Sequence, residues 1–236
     1  MANHYFQFKQ FKVEQSLAAM KVCTEACVFG ALAESASPDS ILDIGAGTGL
    51  LSLMLAQKFN CPIDAVEIEE QAFLQTKDNF ERSPWKDRLT AYQASIQTFS
   101  KEYPRKYDFI IANPPFFTNH LQAASQGKNL AIHNNSLSQK DLLHAVIALL
   151  SSSGSFYLLL PPSEAANFDT QAIQEGLFLN KRIIIYNRPG AEPFRYLSYF
   201  SFQKQQMVLE DFLIRNEDDS YSKDFVTFLK PYYLYL

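Results

Sequence analysis

The apolar positions of the chain follow two alternating rhythms. Ile41 to Ile44, Cys61 to Ile68, Arg88 to Gln93, Phe109 to Ala112 and Ser155 to Leu160 are short β-patterned runs, and Phe109 to Ala112 reads as a strand buried on both faces. Between them lie stretches with helical spacing: Leu51 to Phe59; Glu69 to Ser83, with Ala72, Phe73, Thr76 and Phe80 on one side; and Gln139 to Leu150, with Leu142, Leu143, Val146 and Leu149 in register. Strands alternating with helices predict a parallel sheet built by right-handed crossovers. After Leu160 the pattern changes. A helix over Glu164 to Glu175 precedes two long strand patterns, Leu179 to Asn187 and Arg195 to Lys204, which flank Arg188-Pro189-Gly190 and read as an antiparallel pair. Gln206 to Ile214 adds a last strand, and Lys223 to Lys230 a short helix.

The ends of this pattern are less regular. Residues 5 to 15 alternate aromatic or apolar with polar positions, placing Phe6, Phe8 and Val13 on one face of a hairpin or clamp. Ser16 to Glu34 is helix-forming in composition, with a break at Lys21 to Glu25 and Thr24 as the expected N-cap of a second helix through Leu32. Ser151-Ser-Ser-Gly154 is expected to end the helix before the fifth strand. Phe117 to Ser136 is polar and long enough to predict a functional loop or lid.

With 236 residues, 47% of them hydrophobic and 19% charged, the composition is that of a soluble globular protein with a sizeable core. No apolar run approaches membrane-spanning length, and the first residues lack the order of a secretion signal, so a cytoplasmic protein without membrane attachment is expected. Three cysteines argue against a disulfide framework; Cys23 and Cys27 share a helix face but no second ligand pair follows, so they read as buried thiols and no metal is expected. A net charge of -4 does not advertise a polyanionic partner, although clusters such as Lys181, Arg182, Arg188 and Arg195 leave room for one.

The chemistry is concentrated where strands end. The fourth strand runs into Asn113-Pro114-Pro115-Phe116. Prolines cannot donate to a sheet ladder, so the chain leaves the sheet there, and Pro115 biases Pro114 toward an extended conformation. The Asn113 carboxamide and the Pro114 carbonyl can then offer oxygen acceptors to one planar amino group, with Phe116 as a face for a stacked base. After the first strand, Gly45, Gly47 and Gly49 follow Asp43 in a Gly-x-Gly-x-Gly loop around Thr48, which lets backbone approach a ligand closely. Asp43 can meet an ammonium group or order the loop. About twenty residues on, Glu67 ends the second strand, where a carboxylate can accept both ribose hydroxyls while Ile68 walls an adenine. Ligands of open parallel sheets bind at these carboxyl ends. The glycine spacing differs from the Gly-x-Gly-x-x-Gly of dinucleotide-binding oxidoreductases, and there is no obvious Tyr-x-x-x-Lys or His–acid pair for hydride chemistry. A non-catalytic binding module would not need the Asn-Pro-Pro-Phe geometry.

Asn113-Pro-Pro-Phe116 resembles the catalytic motif of amino-group methyltransferases that use S-adenosylmethionine. Together with Phe8-Lys-Gln-Phe11, Met20-Lys-Val-Cys-Thr24-Glu25, Gly30-Ala31 and Asp43-Ile-Gly-Ala-Gly-Thr-Gly49, it resembles the bacterial tRNA1(Val) (adenine(37)-N6)-methyltransferases. The resemblance implies a class I methyltransferase fold, a Rossmann-like α/β architecture whose seven-stranded sheet has the order 3-2-1-4-5-7-6 with strand 7 antiparallel. It implies an extension over residues 1–38 folding over the cofactor, with Lys21 and Thr24 near it, on a methyltransferase domain over 39–236. It also implies methyl transfer to N6 of adenine 37 in the anticodon stem-loop of tRNA. Relatives often hold the adenine of the cofactor with an Asp after strand three; here Ser95-Ile96 stands there, which predicts a weaker or water-mediated contact. The motif also serves enzymes acting on release-factor glutamine, ribosomal RNA guanine N2 and DNA adenine N6, because each offers a planar amino group, so its chemistry alone leaves the substrate open.

Overall fold

A computed structural model describes residues 3–115 and 137–236. The chain opens with a hairpin, β1 (Tyr5–Gln7) and β2 (Lys12–Glu14), with Phe6 opposite Val13. Helix α1 (Thr24–Leu32) precedes the alternating core of β3 (Ile41–Ile44), α2 (Leu50–Lys58), β4 (Ile63–Glu67), α3 (Glu70–Glu81), β5 (Leu89–Gln93), α4 (Ile96–Glu102) and β6 (Tyr107–Ala112). Then come α5 (Gln139–Leu149), β7 (Leu150–Leu160), α6 (Pro162–Gln174), β8 (Phe178–Tyr186), β9 (Arg195–Ser201), β10 (Val208–Leu213) and α7 (Lys223–Leu229).

The main sheet has the order β10-β8-β9-β7-β6-β3-β4-β5. Counted from β3 as the first core strand, this is the implied seven-stranded order, with β9 antiparallel to both neighbours and β10 added in parallel on β8. Each face has its own core. Phe29, Met54, Phe109 and Phe225 pack on one side together with Phe8 and Val13 of the hairpin; Phe99, Tyr107, Leu142, Phe156 and Phe168 pack on the other. The hairpin is therefore continuous with the core rather than a separate unit. It is also tied to the chain's other end: Lys9 N–H donates to the Tyr232 carbonyl at 2.8 Å, and Phe8 forms a β-bridge with Tyr233.

Three expectations are corrected. Only one helix forms in residues 16–34, and Thr24 is its first residue; Cys23, which makes no side-chain cap, holds the N-cap position. Ser16 to Met20 crosses the sheet's carboxyl edge as an irregular strap. The serines at 151–153 do not break the chain before the fifth strand, because β7 already begins at Leu150. Its register against β6 shifts between Tyr107 and Phe109, so Tyr107 and Ile110 share a face. Gly154 sits at this irregularity, where a Cβ would approach the Tyr107 carbonyl oxygen to 3.0 Å. Among the described residues no helix is long and apolar enough to cross a membrane, and no cluster of His, Cys, Asp or Glu is placed to hold a metal ion.

Candidate active site

Strands β3, β4, β5 and β6 end side by side, and the loops leaving them enclose a cavity of about 290 Å³. From β3 come Gly45 and Gly47; from β4, Glu67, Ile68 and Glu69; from β5, Ala94, Ser95, Ile96 and Gln97; from β6, Asn113 and Pro115. Ala18, Ala19 and Met20 of the N-terminal strap complete the wall. A larger, more open cleft of about 820 Å³ lies at the opposite edge of the sheet, but its lining, which includes Asp39, Asp108 and Lys181, contains none of the motif residues.

The glycine loop takes the shape expected of it. Gly45, Gly47 and Gly49 all have positive φ, and a Cβ on Gly49 would also meet Phe80 at 2.8 Å. Because Gly49 occupies the N-cap of α2 without a side chain, Asp43 does the capping from inside the sheet: its Oδ2 accepts from the Ser52 N–H at 3.1 Å and the Ser52 hydroxyl at 2.7 Å. The other oxygen, Oδ1, is buried with no hydrogen-bond partner among the described residues. Burial is the main reason the Asp43 carboxyl is pushed up to about 6 from 3.8; the Ser52 bonds oppose this and the Glu67 charge adds to it. A carboxyl raised in the folded state favours folding while it stays protonated, and that contribution is lost as pH rises through about 6. Asp43→Asn is accordingly expected to raise the melting temperature relative to wild type at pH 7.5 but not near pH 4, an effect of at most about 3 kcal/mol. Melting curves across this range check it; a difference independent of pH would show that the Asp43 charge carries no such cost.

Glu67 is held by two backbone donors, Gly47 N–H to Oε2 at 2.8 Å and Glu69 N–H to Oε1 at 2.9 Å. Each oxygen keeps a further lone pair, so the carboxylate is oriented by the protein and can still accept two hydroxyls. Ile68 is 45% exposed and offers apolar surface at the rim. Ser95 is occupied elsewhere: its hydroxyl accepts the Thr98 N–H and donates to Thr98 Oγ1, capping α4. The neighbouring Gln97 lines the cavity with a side-chain amide that makes no hydrogen bond to a described residue. Asn113, half-buried just beyond the fully buried end of β6, lines the cavity at its other end, again without a described side-chain partner.

Six of the proposed residues that the structure describes do not line the cavity: Asp43 and Gly49, which act at the start of α2, and Thr48, Pro114, Thr24 and Lys21. Thr48 and Pro114 are buried beside it. Thr24 is exposed at the start of α1, and Lys21 turns its ammonium to the carbonyls of Gln15 and Ala18, bracing the strap from within. Phe116, the Phe117 to Ser136 loop, His120 and His133 lie outside the described residues.

Among the described residues no basic side chain lines the cavity, whereas Glu67 and Glu69 do. An acid-walled, otherwise largely apolar pocket closed by a glycine turn suits a cationic nucleoside such as S-adenosylmethionine. The sheet order and the cavity at the carboxyl ends of β3 to β6 define a class I methyltransferase. Residues 23–152 match the family model described as the methyltransferase small domain. The chain is 42% identical, over all of both chains, to the tRNA1(Val) (adenine(37)-N6)-methyltransferase of Cytophaga hutchinsonii. It belongs to that family. Among solved structures, a predicted O-methyltransferase from Agrobacterium tumefaciens superposes with a TM-score of 0.66 at 16% identity, covering 86% of this chain and 93% of that one. TrmK from M. capricolum, bound to S-adenosyl-homocysteine, superposes with a TM-score of 0.54 at 13% identity, covering 79% and 71%. At these identities the two structures show the common fold.

Proposed function

We propose that the protein transfers the methyl group of S-adenosylmethionine to N6 of adenine 37 in the anticodon loop of tRNA1(Val). The observation that carries this reading is the placement of Asn113 on the wall of the same cavity that Gly45, Gly47, Glu67 and Ile68 line. Bound there, the cofactor supplies a methyl group on a positively charged sulfur. The protein's part is to make a poor nucleophile competent. The lone pair of an adenine amino group is delocalised into the ring; Asn113 Oδ1 and the Pro114 carbonyl accept its two hydrogens and favour a pyramidal nitrogen facing the cavity. As the new bond forms, positive charge grows on that nitrogen, and the same two oxygens stabilise it. Asn113 follows a strand buried between two core strands, so its position is set before the substrate arrives. The base must leave its stack, at a cost smaller in a loop than in a duplex, and Phe116 follows Pro115 in sequence as the stacking face. The proton lost from nitrogen can pass to solvent.

Nucleoside mass spectrometry of tRNA lacking N6-methyladenosine, incubated with the protein and S-adenosylmethionine, tests the substrate. N6-methyladenosine is expected at position 37 of tRNA1(Val). Unmodified tRNA together with methylated glutamine on a release factor would replace this reading with the protein-directed form of the same chemistry.

A further inference from the structure

The inward stripe of α3 is unusually polar. Gln75, Thr76 and Asn79 are all buried, at 2%, 0% and 1% exposure. Burying a carboxamide is costly unless its hydrogen bonds are met, and here they are met by backbone from two separate segments. Asn79 Oδ1 accepts the Glu14 N–H, and its Nδ2 donates to both the Glu14 and the Thr48 carbonyls, each at 2.8 Å. One turn earlier, Gln75 Oε1 accepts the Leu17 N–H at 3.1 Å, while the Thr76 hydroxyl donates to the Gly47 carbonyl at 2.8 Å. One helix face therefore grips the glycine loop on one side and the N-terminal strap on the other.

Both gripped segments wall the cavity, the loop through Gly45 and Gly47 and the strap through Ala18, Ala19 and Met20. The strap is braced internally as well. Gln15, 5% exposed, accepts the Val22 N–H at 2.8 Å, and the Lys21 ammonium closes onto Ala18. These bonds tie Gln15, Ala18, Lys21 and Val22 to one another, and the side-chain anchorage of this stretch to α3 is at Glu14 and Leu17.

We propose that Asn79, assisted by Gln75, is a positioning residue that couples the N-terminal strap to the glycine loop, so that the two walls of the cofactor cavity close together. The proposal rests on the cofactor reading given above. Coupling is reciprocal: if an ordered strap favours cofactor binding, the bound cofactor must order the strap. A purely structural Asn79 would affect stability without linking these two quantities.

The test uses the full chain, with S-adenosyl-homocysteine as the probe. In wild type, the probe is expected to slow amide hydrogen exchange in residues 14–20. Asn79→Leu keeps the bulk of the side chain and removes all three bonds. It is expected to weaken the probe's affinity about tenfold in calorimetry, within the usual range of such couplings, and to abolish the probe's protection of the strap. The KM for S-adenosylmethionine should rise similarly while kcat stays within about threefold, because Asn113 is untouched. Gln75→Ala, which removes only the Leu17 bond, should show a smaller shift in the same direction and serves if the leucine variant fails to fold. Wild-type affinity and unchanged strap protection in a folded variant would overturn the coupling. A wild-type chain that binds no probe would instead remove the cofactor reading beneath it.

Discussion

Asn113→Ala is expected to lower the rate of methyl transfer by a factor of about 10² to 10³, the size of effect seen when one preorganised group facing a developing charge is removed. Affinity for S-adenosyl-homocysteine should change little. The separation follows from where Asn113 stands. It follows β6, two strands away from the β4 end that carries Glu67, its carboxamide spends no hydrogen bond on the described fold, and the strand before it is packed on both faces. Alanine therefore removes an acceptor without loosening the sheet. Asn113→Asp is the sharper companion, since it keeps an acceptor oxygen and adds a charge that alters the pull on the amino group. Single-turnover rates with saturating cofactor measure the chemical step directly. A rate within tenfold of wild type for the alanine variant would take Asn113 out of the mechanism.

Glu67→Ala should show the opposite signature. The affinity for S-adenosyl-homocysteine is expected to fall about a hundredfold, roughly 3 kcal/mol, because hydrogen bonds to a charged acceptor are worth about 1.5–3 kcal/mol each. The loss has two sources. The diol loses its acceptors, and the Gly47 and Glu69 amides lose theirs, so the loop also loosens. Glu67→Gln separates them. A carboxamide can still accept from one backbone amide but presents an NH2 to the other, so this variant should fall between alanine and wild type. Calorimetry gives the affinities, and a wild-type value for Glu67→Ala would end the ribose assignment.

The sheet was readable from the sequence because its strands are nearly continuous apolar runs and its helices keep one apolar stripe, and both patterns survive any detail of packing. The glycine loop, Glu67 and Asn113 were readable for a related reason: each stands at the end of such a strand, where topology alone puts it at the cavity. What escaped was set by partners distant in sequence. Gln75 and Asn79 look like surface residues of an amphipathic helix until one notices that they fall on the same side as Ala72 and Phe80; their meaning depends on Glu14 and Thr48, which only the fold brings near. The bonds from the Lys21 ammonium to carbonyls within its own strap likewise depend on how that segment folds. Two roles are open to Asp43 in the sequence, and the structure shows it ordering the start of α2 while one oxygen has no partner among the described residues. The short helix α4 carries few apolar positions and gave no signal, although it fixes Ser95 and Gln97 at the cavity.

The bridge from Phe8 to Tyr233 and the bond from Lys9 to Tyr232 have a consequence for how lesions in this protein would be read in a genetic screen. The hairpin that leads into the roof of the pocket is stitched to Tyr232 and Tyr233, so a stop codon or a missense change at those two positions is expected to unpick a seam leading to residues 15–20. Such alleles are expected to score as defects of nucleoside affinity, although neither tyrosine lines the cavity.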